Sequence, residues 1–180
     1  MKLWSLGLLP LALAALSAGA SGCDDNPPLD VAPQIDYDRF AGKWYEVARL
    51  PRPTQKDCYG TTSFYERNAD NSLRVTNECH LGAFDGPYLG NETSATMPNA
   101  SDPAKLVLKI GLYKGDYWVL EVGEKYEYAV VGHPSRDYLW ILSRTPQVEP
   151  AALQGILERT KAKKFDVERL EYTPQPASGT

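Results

Sequence analysis

Residues 40–48 of the chain read Phe-Ala-Gly-Lys-Trp-Tyr-Glu-Val-Ala. Gly42 allows a tight turn into a strand, because glycine lacks the Cβ atom that restricts other residues. The aromatic and apolar residues after it are typical of a strand with one buried face. Trp44 is large enough to fill one end of a small barrel. The stretch therefore predicts a first strand at Trp44–Leu50.

Seven further segments of this kind follow, separated by turn-forming residues. The predicted strands are Trp44–Leu50, Tyr59–Glu66, Leu73–His80, Gly90–Met97, Lys105–Ile110, Tyr117–Val122, Tyr126–Val131 and Tyr138–Ser143. Two of the predicted turns are Asn68–Asn71 and Tyr113–Asp116. Loops this short join antiparallel neighbours. We predict an all-β fold, an eight-stranded antiparallel up-and-down barrel, since closure leaves no exposed sheet edge.

Only one segment has the period of a helix. It begins near Pro150 and places apolar residues at Leu153, Ile156 and Leu157, with Phe165 further on. Its narrow apolar stripe predicts one C-terminal α-helix packed on the outside of the barrel. We predict that residues 35–173 form the barrel domain and that residues 174–180 form a disordered tail.

Composition excludes several classes of function. The 180 residues carry a formal net charge of −4, whereas nucleic-acid binders need a basic face. Two histidines leave little room for His-based catalysis or a multi-His metal site. Eleven tyrosines and four tryptophans are typical of a β-rich protein with an aromatic-lined interior.

The N-terminus predicts export. Lys2 precedes an uncharged apolar run from Leu3 to Ala18, which is shorter than the ~20 residues that span a bilayer. Residues 18–20, Ala-Gly-Ala, fit an ordinary cleavage site, whereas residues 20–23, Ala-Ser-Gly-Cys, resemble the bacterial lipoprotein box. We favour a lipoprotein-type signal peptide over residues 1–22, with acyl chains such as palmitate on Cys23 and a tether over residues 23–34. The protein would then be lipid-anchored at the bacterial cell envelope, with the outer membrane favoured and the inner membrane or secretion left open.

Two blocks of sequence carry a resemblance to a known family. Residues 40–48 match the G-x-W signature of the lipocalins with its W-Y-E extension, and residues 136–146, Arg-Asp-Tyr-Leu-Trp-Ile-Leu-Ser-Arg-Thr-Pro, are similar to the last barrel strand of bacterial lipocalins. The chain resembles the bacterial lipocalin group, of the outer-membrane lipoprotein type related to apolipoprotein D, over about residues 35–173. The T-D-Y form of the family's middle motif is absent from Tyr126–Val131.

The resemblance implies roles for individual residues. Gly42, Trp44 and Arg144 would be structural, with the Arg144 guanidinium lying over the Trp44 indole. The expected ligand contacts are Trp140, Tyr138, Leu142, Asn77, Tyr65 and Phe40. Alternation in the last strand places Tyr138, Trp140 and Leu142 on one face. Tyr117 and Tyr128 are further candidates whose strand faces the sequence leaves unassigned.

The three cysteines are consistent with an exported lipoprotein. Cys58 and Cys79 fall on adjacent predicted strands, and a bulge or a diagonal pairing would bring them together. We prefer a disulfide between them, which suits an oxidising compartment and leaves Cys23 for lipid.

We therefore expect a non-enzymatic carrier of a small hydrophobic ligand, a fatty acid or lysophospholipid, with no cofactor and no metal. Homodimerisation stays open. The alternatives are a pigment or haem-type carrier, a filled barrel that acts as an interaction module, and a lipid-modifying enzyme that uses Cys58 or Cys79 with His80 or His133.

Overall fold

The computed structural model describes residues 26–177. The predicted signal peptide and the predicted lipidation site at Cys23 lie outside the described residues.

The described residues form one closed sheet with short helices around it. The strands are β1 Gly42–Arg49, β2 Cys58–Arg67, β3 Leu73–Leu81, β4 Tyr88–Thr96, β5 Lys105–Ile110, β6 Tyr113–Val122, β7 Tyr128–Gly132, β8 Leu139–Ser143 and β9 Glu171–Tyr172. The α-helices are α1 Tyr37–Phe40 and α2 Pro150–Ala162, and single 3₁₀ turns lie at Pro53–Gln55 and Val167–Arg169. Strands β1 to β8 pair in chain order, and β1 also pairs with β8. The predicted eight-stranded antiparallel barrel is confirmed, and the short β9 extends the sheet beside β1.

The prediction of a turn at Tyr113–Asp116 is wrong. These residues open β6 and pair with β5, because Ile110 faces Tyr113 and Val107 faces Asp116. The turn is at Gly111 and Leu112, and Gly111 has a φ of +60°. Glycine adopts this left-handed conformation without steric cost, which favours the turn there over the polar stretch that follows.

Helix α2 packs on the outside of the barrel, as predicted. Ile156 and Phe165 are buried against outward-facing side chains of the sheet, including Val130, Leu139 and Ile141. A separate cluster fills the lower barrel interior, so the sheet has apolar residues on both faces at this point. Neither α-helix within residues 26–177 is long and apolar enough to cross a membrane.

Both ends of the described chain are held to the barrel. Leu29 and Ala32 are buried, and the Ala32 amide donates to the Val119 carbonyl at 3.0 Å. The expected tether over residues 23–34 thus includes Leu29 and Ala32, whose side chains pack on the barrel. Pro174, in the expected disordered tail, accepts a hydrogen bond from the Gly60 amide at 2.8 Å, so the start of that tail is ordered.

Candidate functional site

The barrel encloses a cavity of about 280 Å³. Its apolar and aromatic lining comes mainly from β3, β5, β6 and β8, and its polar lining from β1 to β4 and the loop between β1 and β2. The lining residues used below are Glu46, Arg52, Gln55, Thr61, Ser63, Val75, Asn77, Glu78, Asn91, Leu108, Tyr117, Trp140 and Leu142. The cavity thus combines an apolar wall on β5, β6 and β8 with a mainly polar wall on β1 to β4, and polar groups placed in this way can orient a bound ligand.

One end of the barrel is closed by an aromatic plug. Trp44 is fully buried, and its indole nitrogen donates to the Phe40 carbonyl at 2.8 Å. The Arg144 guanidinium carbon lies 3.8 Å from the centre of the Trp44 ring, in cation–π contact. Its nitrogens donate to carbonyls at the start of β1, including those of Lys43 and Ala41. This cluster fixes the floor of the barrel and does not line the cavity.

Gly42 begins β1 for a conformational reason. Its φ is +94°, a value that side chains disfavour, whereas an added Cβ atom would lie at an ordinary 3.5 Å from Arg144. The backbone angle therefore explains the glycine, and crowding by a neighbouring side chain does not.

Strand β8 presents two of the expected contact residues to the cavity. Trp140 and Leu142 line it, while Leu139 and Ile141 point outward beneath α2. Tyr138 lies just before β8, is 41% exposed and stacks beside Trp140 with the two rings 11° from parallel. Tyr138 does not line the cavity and lies at the open end of the barrel.

The remaining expected contacts divide between the cavity and its floor. Asn77 lines the cavity, whereas Phe40 and Tyr65 lie lower, with their ring centres 5.1 Å apart. Tyr65 is hydrogen-bonded through its hydroxyl to the hydroxyl of Tyr117, which does line the cavity. Burial raises the pKa of Tyr65 to about 12, so the phenol stays neutral at physiological pH. Tyr128 lies outside the barrel, where its hydroxyl accepts from Arg159 at 3.1 Å.

A row of polar side chains crosses three strands on the cavity wall. The Ser63 hydroxyl donates to Asn77 at 2.7 Å, and the Asn77 amide donates to Asn91 at 3.1 Å. Beside them the buried Thr61 hydroxyl has no hydrogen-bond partner among the described residues. An unpaired buried hydroxyl is costly, so a polar ligand atom or a water molecule at this wall would be stabilised. Sequence reasoning missed Thr61 and Ser63, although both share the alternating face of Tyr65 on β2.

A buried charged cluster forms the upper wall, and sequence reasoning assigned it no role. The Glu46 carboxylate accepts from the Gln55 side chain at 2.8 Å and lies 3.4 Å from the Arg49 guanidinium. Burial raises the pKa of Glu46, although the bond from Thr173 and the charge of Arg49 oppose this shift. Gln55 in turn accepts from the Trp140 indole at 3.3 Å. The cluster ties the β1–β2 loop to the cavity wall.

The two cysteines and two histidines that the enzyme alternative would use have other partners in the structure. Cys58 and Cys79 form a disulfide with a Cα–Cα distance of 5.5 Å, as predicted. A bulge in β2 after Tyr59 and the pairing of Cys58 with Leu81 make the bridge diagonal. His80 contacts the Gly86 carbonyl, and His133 contacts Ser135. Among residues 26–177, no three His, Cys, Asp or Glu side chains come together as a metal site.

Comparison with known proteins gives consistent relatives. The lipocalin-like domain family model matches residues 35–175. The chain is 33% identical over 178 residues to the outer membrane lipoprotein Blc of Escherichia coli strain K12, covering 95% of this chain and 99% of Blc. It is 35% identical over 156 residues to temperature-induced lipocalin-1 of Arabidopsis thaliana, covering 82% and 83%. It is 31% identical over 185 residues to apolipoprotein D of Bos taurus, covering 93% of each chain.

These matches extend over most of the barrel and include the outer-membrane lipoprotein and apolipoprotein D groups that the sequence motifs resemble. Proteins of this kind bind small hydrophobic ligands and are generally binding or transport proteins rather than enzymes. The family match, the identities and the closed barrel with its inner cavity together show that the chain belongs to the lipocalin family.

Proposed function

We propose that the protein binds, stores or transports a fatty acid or lysophospholipid at the bacterial cell envelope, without changing it chemically. The observation that carries this proposal is the cavity of about 280 Å³ between Trp140, Leu142 and Leu108 on one side and Asn77 on the other. Ligand sites in proteins occupy roughly 300–1,000 Å³, so this cavity of about 280 Å³ lies just below that range. Its size suits one slim acyl chain better than a wide pigment or macrocycle.

The binding energy would come from burial of the acyl chain. At ~30 Å³ for each water-sized group, the cavity accommodates about nine methylene groups. Each buried methylene contributes about 0.8 kcal/mol, which gives roughly 7 kcal/mol before the cost of ordering the chain. The polar side of the cavity would orient the head group toward the open end.

The envelope location is supported by the relatives and by the sequence. Blc of Escherichia coli and Blc of Vibrio cholerae are outer membrane lipoproteins, and the latter is 36% identical to this chain over 152 residues. We propose the same anchor here, with acyl chains on Cys23 that hold the barrel beside a membrane. Homodimerisation remains a prediction, which analytical ultracentrifugation of the delipidated protein tests.

Two tryptophan substitutions on one strand test the binding function. Leu108 lines the cavity, whereas its neighbour Val107 points to the other face of β5. We expect the larger ring of Leu108→Trp to occupy part of the cavity and to weaken binding of oleate and of a lysophospholipid about tenfold or more in calorimetry, with Val107→Trp binding like the wild type.

Native mass spectrometry of the wild type with lipid extraction gives an independent readout. One co-purified acyl lipid per chain is expected. A lipid-free mass together with no calorimetric binding would contradict the carrier function and favour a filled barrel. A visible absorption band from a co-purified chromophore would favour the pigment carrier instead.

A further inference from the structure

We propose that Arg52 is the anion-binding residue of this cavity and that the protein selects single-chain amphiphiles with a carboxylate or phosphate head group. This inference rests on the proposed lipid-binding function and specifies the head group. Of the described residues that line the cavity, Arg52 is the only cationic one.

Arg52 is held at the open end of the barrel. It precedes the 3₁₀ turn Pro53–Gln55 in the β1–β2 loop, and the Gln55 amide donates to its carbonyl at 3.0 Å. The loop begins after the last residue of β1, whereas Trp44 closes the barrel near the first. A head group above Arg52 would therefore project toward solvent while its acyl chain extends down toward Leu142 and Tyr117.

The Arg52 side chain is oriented by aromatic rings. Its guanidinium carbon lies 5.0 Å from the centre of the Tyr138 ring and 5.1 Å from that of Trp140. These two rings are nearly parallel and form a platform under the guanidinium. Stacking on aromatic faces leaves the N–H groups at the edge of a guanidinium free to donate.

Within residues 26–177, no acidic side chain forms an ion pair with Arg52. It takes part in none of the ion pairs and in no side-chain hydrogen bond recorded among residues 26–177. The two carboxylates that line the cavity have other partners: Glu46 contacts Arg49, and Glu78 accepts from the Tyr88 hydroxyl at 3.1 Å. A planar guanidinium without a carboxylate partner matches the geometry of an incoming carboxylate or phosphate.

The loop that carries Arg52 is preorganised by its contacts with the wall. The Arg49 guanidinium donates to the Gln55 carbonyl at 2.6 Å, and the Gln55 side chain joins Glu46 to the Trp140 indole. Binding of a head group to Arg52 would therefore cost little conformational entropy in the loop.

The test compares ligands that share a chain and differ in charge. Oleate, oleoyl lysophosphatidic acid and the neutral oleyl alcohol are titrated by calorimetry into the wild type, Arg52→Gln and the control Lys56→Gln. Lys56 is an exposed cation of the same loop and does not line the cavity. We expect Arg52→Gln to weaken binding of an anionic ligand about tenfold to hundredfold and of oleyl alcohol less than twofold. Lys56→Gln should change the affinity for the anionic ligands and for oleyl alcohol by no more than about twofold.

The outcomes separate the two proposals. If Arg52→Gln weakens the binding of oleate alone, the head group is a carboxylate. If it weakens the binding of oleoyl lysophosphatidic acid alone, the head group is a phosphate. Either result supports the role of Arg52. Unchanged binding of both anions to Arg52→Gln, or an equal loss for oleyl alcohol, overturns the role of Arg52 while leaving the carrier function intact. A wild type that binds none of the three ligands overturns both.

Discussion

Replacement of Trp44 by alanine tests whether the closed end of the barrel contributes stability and not binding. The Trp44 side chain is 0% exposed, its ring centre lies 5.0 Å from that of Phe40, and Arg144 covers one face. Truncation of a fully buried tryptophan costs about 3–5 kcal/mol, which includes the cavity that it leaves. The Phe40 carbonyl keeps a hydrogen bond from Arg144 at 3.1 Å, so no buried acceptor is left unpaired to raise this cost.

Urea unfolding followed by circular dichroism measures the effect without relying on the tryptophan that is removed. With a dependence of about 2 kcal/mol per molar urea, a loss of ~4 kcal/mol lowers the unfolding midpoint by about 2 M. Trp118→Ala is the matched control, because Trp118 is only partly buried and packs on the outer face of the sheet. We expect a clearly smaller shift for the control.

Ligand binding is the second half of this prediction. Trp44 does not line the cavity, so the folded fraction of Trp44→Ala should bind oleate with the affinity of the wild type. A stability loss below about 1 kcal/mol, or one equal to that of Trp118→Ala, would refute the assignment of Trp44 as the plug.

Three further changes have expected outcomes. Trp140→Ala should weaken oleate binding about tenfold, since ~60 Å² of lost ring contact at about 25 cal/mol per Å² is about 1.5 kcal/mol. An unchanged affinity in calorimetry would contradict the assignment of Trp140 to the pocket. Burial raises the pKa of Glu46, so its contribution to stability is greatest below the unfolded-state value of about 4.5 and falls as pH rises through the folded-state pKa. The free energy of unfolding of Glu46→Gln should therefore increase relative to the wild type across that pH window, and parallel pH curves in urea unfolding would argue against a raised pKa. Replacement of both Cys58 and Cys79 by serine should lower the free energy of unfolding by about 3 kcal/mol, because the disulfide closes a loop with a sequence separation of 21. The barrel should still fold. A thermal scan that shows no loss of stability would exclude this contribution.

Local patterns in the sequence were sufficient for the class of fold and for several faces. Alternation over Leu139–Leu142 separates the side chains that enter the barrel from those that pack under α2, because successive residues of a strand point to opposite faces. The apolar period after Pro150 likewise predicts α2 and its buried face. These features depend on residues a few positions apart, so the sequence contains them directly.

Bulges and turns limited the prediction of side-chain faces from alternation. A bulge between Glu46 and Ala48 changes the phase of β1, so that Glu46 and Arg49, three residues apart, enter the same buried cluster. Strict alternation would place these two side chains on opposite faces. The β5–β6 turn was also ambiguous, since both Gly111 and Gly115 occur in the stretch, and only the pairing of Ile110 with Tyr113 selects the first.

The sequence by itself determined that the chain folds into an eight-stranded barrel with an outer helix, because strand alternation, turn residues and the first and last motifs are local signals. The tertiary structure alone decided which polar side chains meet at the cavity. Gln55 and Trp140 are 85 residues apart and become neighbours only when β8 pairs with β1, and the same closure brings Arg52 over the Trp140 ring. Contacts between distant segments depend on the register of every intervening strand, and the bulges in β1 and β2 shift that register away from simple alternation.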